Sequence, residues 1–340
     1  MHKQTIFPRW RGFNLLGMFT SETSKAFDER SPGYFTEDDF KMMADWGFDF
    51  ARLPLSYRVW SSVDNPYDIS EEKLAPLDEA IYFGKKYGIH VNVCLHRIPG
   101  FCVNDDEQPE EKKCLWTDNE ISDAAAYQWK QIAKRYVGSP SSEVSFNVMN
   151  EPGKDVTSRQ YRDVNKKIID AVREISPDRL FIVEALQNTK PPVDAMRNFE
   201  NCGYGMHFYE PTAVTHLGVG GREEIVPWPN DKKFDKWGDR TICNKAEMEQ
   251  IVALWAAVSD ILKVGVHCSE FGLIYHTPHD IACAWTEDLL DLLKKYNIGF
   301  AMWNLRGKFG IMDNGRTDIE MKDYCGHKLD EKMLKILQKY

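Results

Sequence analysis

A chain of 340 residues is too long for a small stapled module; it suits two ordinary domains or one large α/β barrel. Apolar residues at 43% and charged residues at 28% supply a sizeable core and exclude a disordered chain. With 43 Lys and Arg against 52 Asp and Glu, the net charge of −9 argues against a nucleic-acid partner, which needs a basic face.

Short apolar runs then alternate with longer segments of helical period. The strand-like runs are 12–18, 50–55, 90–96, 144–150, 180–185, 203–209, 266–271 and 299–305. They are rich in Val, Phe, Ile and Cys rather than alternating with polar residues, as strands covered on both faces by helices should be. Apolar stripes mark the helices: Val164, Ile168, Ala171, Val172 and Ile175; Met248, Ile251, Val252, Trp255 and Leu262; Ile281, Trp285, Leu289 and Leu292; Leu329, Met333 and Ile336. Thr117 with Glu120, Thr157 with Gln160, and Asn244 with Glu247 fit capping boxes. Gly88, Gly138 and Gly265 stand where helices should stop. Eight β-then-α units without a composition break predict a single (β/α)8 TIM barrel spanning 1–340 as one domain. A doubly wound sheet would want a glycine-rich turn after an early strand; Gly218, Gly220 and Gly221 fall in a long loop instead.

Two connections, 97–118 and 210–243, exceed ordinary loop lengths and follow strands, which places them on the C-terminal face. Their aromatic residues Phe101, Trp116, Trp228, Phe234 and Trp237 read as ligand-facing, and the acidic run 105–111 reads as a solvated loop tip. The eight cysteines form no C-x-x-C pair, which removes support for structural zinc. Cys94, Cys202 and Cys268 sit in strand runs as buried reduced thiols, while Cys102 and Cys114 share a loop that a disulfide would span. No run is long and apolar enough for a membrane span, and the N-terminus reads as lacking an export leader. That reading predicts a cytoplasmic protein, or a secreted one if a leader has been removed. Oligomeric state is unreadable.

Reactive side chains stand at many of the strand ends. Arg52 lies on the second run, His96 ends the third, Asn150 and Glu151 end the fourth, and His207 and Tyr209 end the sixth. The seventh ends in Ser269, Glu270 and Phe271, and the eighth in Trp303 and Asn304. Glu151 and Glu270 each follow an apolar run, so both carboxylates should be partly desolvated. Two facing carboxylates suit glycoside hydrolysis, in which one protonates the leaving oxygen and the other attacks or activates water. The competing account makes Glu151 a helix cap and Glu270 a stabilising arginine partner. His216, His267, His276 and His279 lack metal-ligand spacing, so neither metal nor cofactor is expected, and His267 reads as a packed strand histidine.

These residues carry a resemblance to glycoside hydrolase family 5, the cellulase-like retaining enzymes of the (β/α)8 clan. It runs from RGFNL at 11–15 through FARLP around Arg52, CLH at His96, NEP at 150–152, HFY at 207–209, SEFG at 269–272 and MWN around Trp303. The resemblance implies Glu151 as general acid/base and Glu270 as nucleophile. It also implies Asn150 on the sugar 2-hydroxyl, Tyr209 and Arg52 on the nucleophile, and His96, His207 and Trp303 lining the subsite of the cleaved sugar. The expected substrate is a β-linked glucan or cello-oligosaccharide, cleaved by double displacement. Rival readings are a β-mannoside- or glycoconjugate-directed enzyme, a carbohydrate-binding barrel without catalysis, and a metal-dependent hydrolase. Asp313 and Arg316, in the loop after the last strand, suit either sugar hydroxyls or a solvated surface.

Overall fold

The computed structural model describes residues 7–20, 34–103, 113–153, 155–186, 190–230 and 242–340. Eight parallel strands form the barrel: β1 (Arg11–Asn14), β2 (Phe50–Ser56), β3 (His90–Ile98), β4 (Val144–Asn147), β5 (Phe181–Glu184), β6 (Cys202–Phe208), β7 (Val266–Phe271) and β8 (Gly299–Met302). Each pairs with its neighbours in chain order, and β1 joins β8 to close the ring. Every residue of β2 through β8 is buried. That two-sided burial is why the runs read as continuous apolar stretches.

The helices are α1 (Glu37–Asp45), α2 (Glu71–Tyr87), α3 (Asn119–Arg135), α4 (Ser158–Arg173), α5 (Lys245–Leu262), α6 (His279–Lys295) and α7 (Glu331–Lys339), with a short turn of helix at Thr212–Thr215. The expected box of Thr157 and Gln160 caps α4, and Gly88 ends α2 at φ 68°. Asn244 accepts the Glu247 amide, but the Glu247 carboxylate reaches past it to the Cys243 amide. Two expectations fail. Asp118, not Thr117, caps α3, because its carboxylate accepts two helix amides while Thr117 is held in a turn. Neither Gly138 nor Gly265 is a stop: α3 ends at Tyr136, and α5 ends on Lys263 in the left-handed region at φ 57°. Gly265 serves packing instead, since a Cβ there would lie 2.5 Å from the Phe7 ring.

The alternation also lapses once. Between β5 and β6 the described residues hold no α-helix; Pro191 and Pro192 interrupt the segment, and it packs irregularly through buried Ala195 and Met196. All eight cysteines are free thiols, so Cys102 and Cys114 are not bridged. Trp228 is buried with Nε1 bonded to Asp288 of α6, and thus braces a helix rather than facing a ligand. Phe101 and Trp116 meet edge to face against the core. Phe234, Trp237 and the acidic run 105–111 lie outside the described residues. Arg316 is buried on the Thr277 carbonyl and Asp318, and Asp313 holds His327 and the Lys328 amide, so both are structural. Among the described residues no helix is long and apolar enough to cross a membrane.

The N-terminal end of the barrel is filled. Trp10, Phe50, Leu180, Ile182 and Ala301 form a separate apolar cluster there, with Phe7 against it. Trp10 stacks on His90 at 3.8 Å, and Phe50 lies 4.3 Å from His267, the packed strand histidine expected from the sequence.

Candidate active site

At the opposite end, the strand termini deliver polar groups into one cavity of about 420 Å³. Glu270 enters from β7 through a register shift: Met206 pairs with Cys268, but His207 pairs with Glu270. The extra residue, Ser269, is a bulge that turns the carboxylate toward the barrel axis. Arg52 Nη1 donates to Glu270 Oε1 at 2.5 Å and the Tyr209 hydroxyl donates to Oε2 at 3.0 Å. Glu151 stands just beyond β4 with φ 43°, a left-handed conformation uncommon for a glutamate. Its Oε1 lies 2.8 Å from His207 Nδ1, which is also 3.5 Å from Glu270 Oε2.

Arg52 is the hub beneath the cavity. Fully buried on β2, it also donates to Asn14 Oδ1 at 2.9 Å and Asn150 Oδ1 at 2.7 Å. Those bonds orient the Asn150 amide, whose buried Nδ2 has no partner among the described residues and is a donor awaiting an acceptor. His96 and Trp303 stack at 5.7 Å and line the cavity, with Phe19 set edge-on to both. The eight residues placed by the resemblance therefore converge here: Arg52, His96, Asn150, Glu151, His207, Tyr209, Glu270 and Trp303.

Two further residues escaped sequence reasoning. Glu184 ends β5, buried beside Arg52 Nη2 at 3.3 Å and His207 Nε2 at 2.8 Å, and it accepts a hydrogen bond from Asn147. Its signal was a carboxylate closing the apolar run FIVE, the same pattern that marks Glu270. His216, in the loop after β6, lines the cavity against Tyr209 and Phe309. Thr215 Oγ1 donates to the Tyr209 carbonyl at 2.6 Å, so it accepts from His216 Nδ1 at 2.9 Å, which leaves Nε2 as an acceptor. Burial lowers the His216 pKa to about 4, so that ring is neutral.

Electrostatics separate the carboxylates. Burial opposes the Glu184 anion, yet the charges of His207 and Arg52 outweigh it and lower its pKa to about 2. For Glu270 burial prevails over the same two cations and raises the pKa. For His207 burial disfavours the cation, but Glu184 and Glu270 with the bond to Glu151 reverse that and push the pKa well up.

A family model described as Cellulase (glycosyl hydrolase family 5) matches residues 9–309. The chain belongs to glycosyl hydrolase family 5. Within the family it is 26% identical to Cellodextrinase A of Ruminococcus flavefaciens, over 88% of this chain and 84% of that one. It is 25% identical to Endoglucanase C of Acetivibrio thermocellus, over 92% and 95%. The crystal structure of a glycoside hydrolase, 28% identical, superposes with a TM-score of 0.87 over 97% of this chain and 99% of that one. This family 5 protein is thus a (β/α)8 retaining β-glycoside hydrolase whose substrate is a carbohydrate.

Proposed function

We propose that this enzyme cleaves β-1,4-linked gluco-oligosaccharides, with Glu270 as nucleophile and Glu151 as general acid/base. One observation carries the assignment: a carboxyl oxygen of Glu151 and one of Glu270 lie within 4.8 Å of each other, bridged by His207, at the cavity. Retaining hydrolysis wants the two carboxyl groups about 5–5.5 Å apart, whereas inversion needs about 6.5–9.5 Å to seat a water. Glu270 attacks the anomeric carbon while Glu151 protonates the departing oxygen. Water deprotonated by Glu151 then opens the glycosyl ester and restores the β configuration. Arg52 and Tyr209 hold the nucleophile in line, and the orphan Asn150 amide meets the 2-hydroxyl. Trp303 and His96 supply the face on which the cleaved sugar rests. The whole chain, 1–340, acts as one catalytic barrel, and its free thiols favour a reducing compartment.

Support for short glucans comes from the modest cavity of about 420 Å³ and from a relative named for cellodextrins. The test is turnover of an aryl β-cellobioside, with the first-formed anomer read by NMR. Glu270→Ala should lose roughly 10⁴-fold in kcat and recover with azide. An α-anomer as first product, or full activity in Glu270→Ala, overturns the mechanism. Faster turnover of mannosides overturns the substrate. The oxygens and nitrogen of Glu151, His207 and Glu270 are close enough to hold a metal ion, so activity is also measured after dialysis against chelator. Undiminished rates are expected, and loss restored by a divalent ion would favour a metal-dependent hydrolase.

A further inference from the structure

We propose that Glu184 is a positioning residue that acts through His207, holding the imidazole as a two-donor cation whose Nδ1–H is committed to Glu151 Oε1. The inference rests on the catalytic reading above, since it explains how Glu151 is held through both steps.

The geometry begins with a space. Gly205 on β6 sits opposite Glu184 of β5, and a Cβ there would fall 3.2 Å from Glu184 Oε1 and 2.9 Å from Ser269 Oγ. The missing side chain gives the carboxylate its place inside the barrel. There Oε1 receives Asn147 Nδ2 and faces Arg52, which fixes it as an acceptor, and Oε2 lies 2.8 Å from His207 Nε2. That contact lies off the line of the N–H and is an ion pair rather than a formed hydrogen bond, but a bare nitrogen so close to an ionised carboxylate would set two lone pairs against each other in a buried site, so Nε2 keeps its proton. The other ring nitrogen faces Glu151 Oε1 at 2.8 Å and Glu270 Oε2 at 3.5 Å, so acceptors surround the ring. The charged and titratable groups around His207 are Glu151 beyond β4, Glu184 on β5, Glu270 on β7, Tyr209 and Glu210 beside it, and Arg52 behind the two buried carboxylates.

Counting charge shows what Glu184 adds. With Arg52 and His207 cationic and Glu184 and Glu270 anionic, these four groups sum to zero while Glu151 holds its proton, and neighbouring Glu210 exchanges no proton in either step. In the first step the Glu270 oxygen bonds to the anomeric carbon, the glycosidic bond breaks, and the Glu151 proton leaves on the departing oxygen. Glu270 is then a neutral ester and Glu151 an anion, so the sum is again zero. Without the Glu184 charge both states carry an uncompensated positive charge, which His207 relieves by shedding a proton. The Glu151 carboxyl then loses a fixed donor on Oε1 and with it the orientation of Oε2, the oxygen left to exchange the proton.

The test is ¹⁵N NMR of histidine-labelled enzyme without substrate, with the His207 signals assigned by their loss in His207→Asn. Wild type should show both ring nitrogens protonated from pH 6 to 8, whereas Glu184→Gln should titrate in that interval. A neutral, singly protonated His207 in wild type at pH 7 overturns the proposal, and this readout stands even if Glu184→Gln does not fold. Kinetically, Glu184→Gln should lose about 10- to 100-fold in kcat/KM on a cello-oligosaccharide but under about fivefold in kcat/KM on a dinitrophenyl glycoside, because kcat/KM reports the first step and that leaving group needs no acid assistance. An equal loss on both substrates would indicate a merely structural role and overturn the proposal. Because the NMR result involves no turnover, it can fail while Glu270→Ala and azide rescue uphold the catalytic reading, or the reverse.

Discussion

Among the histidines buried along the inside of the barrel, His90, His267 and His207 are shifted in opposite directions. At the N-terminal end, burial lowers His90 to about 4 and His267 to about 3. At the C-terminal end His207, also buried, is pushed well up. Burial alone always disfavours the cation, so the neighbours decide. His90 lies among Trp10, Phe50, the Ser142 carbonyl and the Ser145 hydroxyl, which satisfy a neutral ring. His207 lies among three carboxylates. Closed at one end by neutral stacked rings, the barrel concentrates its ionic chemistry at the other.

The sharpest way to break this contrast is to exchange function between the ends. His207→Gln should lose roughly 100-fold or more in kcat, whereas His90→Gln should stay within about threefold of wild type in steady-state assays. Similar losses in both would mean that the filled end takes part in catalysis. Arg52→Met should come next: leaving Glu184 and Glu270 buried without their cation should lower stability by about 3–5 kcal/mol in denaturant titration, besides abolishing activity. Unchanged stability would show that the ionic end does not depend on pairing.

The third prediction concerns pH. His90 and His267 have folded pKa values below the unfolded value near 6.5, so the unfolded chain binds more protons between these limits. Stability should therefore fall as pH drops from 6.5 toward 4, by up to about 3 kcal/mol for His90. His90→Gln should flatten the slope of Tm against pH, and an unaltered slope would contradict the neutral ring. The smallest effect is of opposite sign. Asp330 and Cys283 raise His279 to about 9, so its stabilising contribution is complete below 6.5 and is lost as pH rises through 9. His279→Asn should remove that alkaline loss, again read as Tm.

The barrel itself was legible because two-sided burial writes itself as unbroken apolar runs, and each of the eight runs became a strand. Glu151 and Glu270 were legible for the same reason, as charges placed where such runs stop. Glu184 followed the same rule at β5, but it carries no adjacent motif, and its role depends on a glycine one strand away. The Ser269 bulge that turns Glu270 inward leaves no compositional trace, since a register shift is a property of pairing with β6. Likewise the choice of Asp118 over Thr117 turned on a local turn, and the lack of a helix among the described residues after β5 on two prolines. His216 looked like a loop residue because the contacts that seat it, Thr215, Tyr209 and Phe309, come together only in three dimensions.

The plug of Trp10, Phe50 and His90 has a last consequence. With that end sealed, the departing sugar and the arriving water both pass through the C-terminal mouth of the barrel. An alcohol that slips in behind the first product competes with water for the same activated carbon, so concentrated acceptors should divert this enzyme from breaking glycosidic bonds to making them.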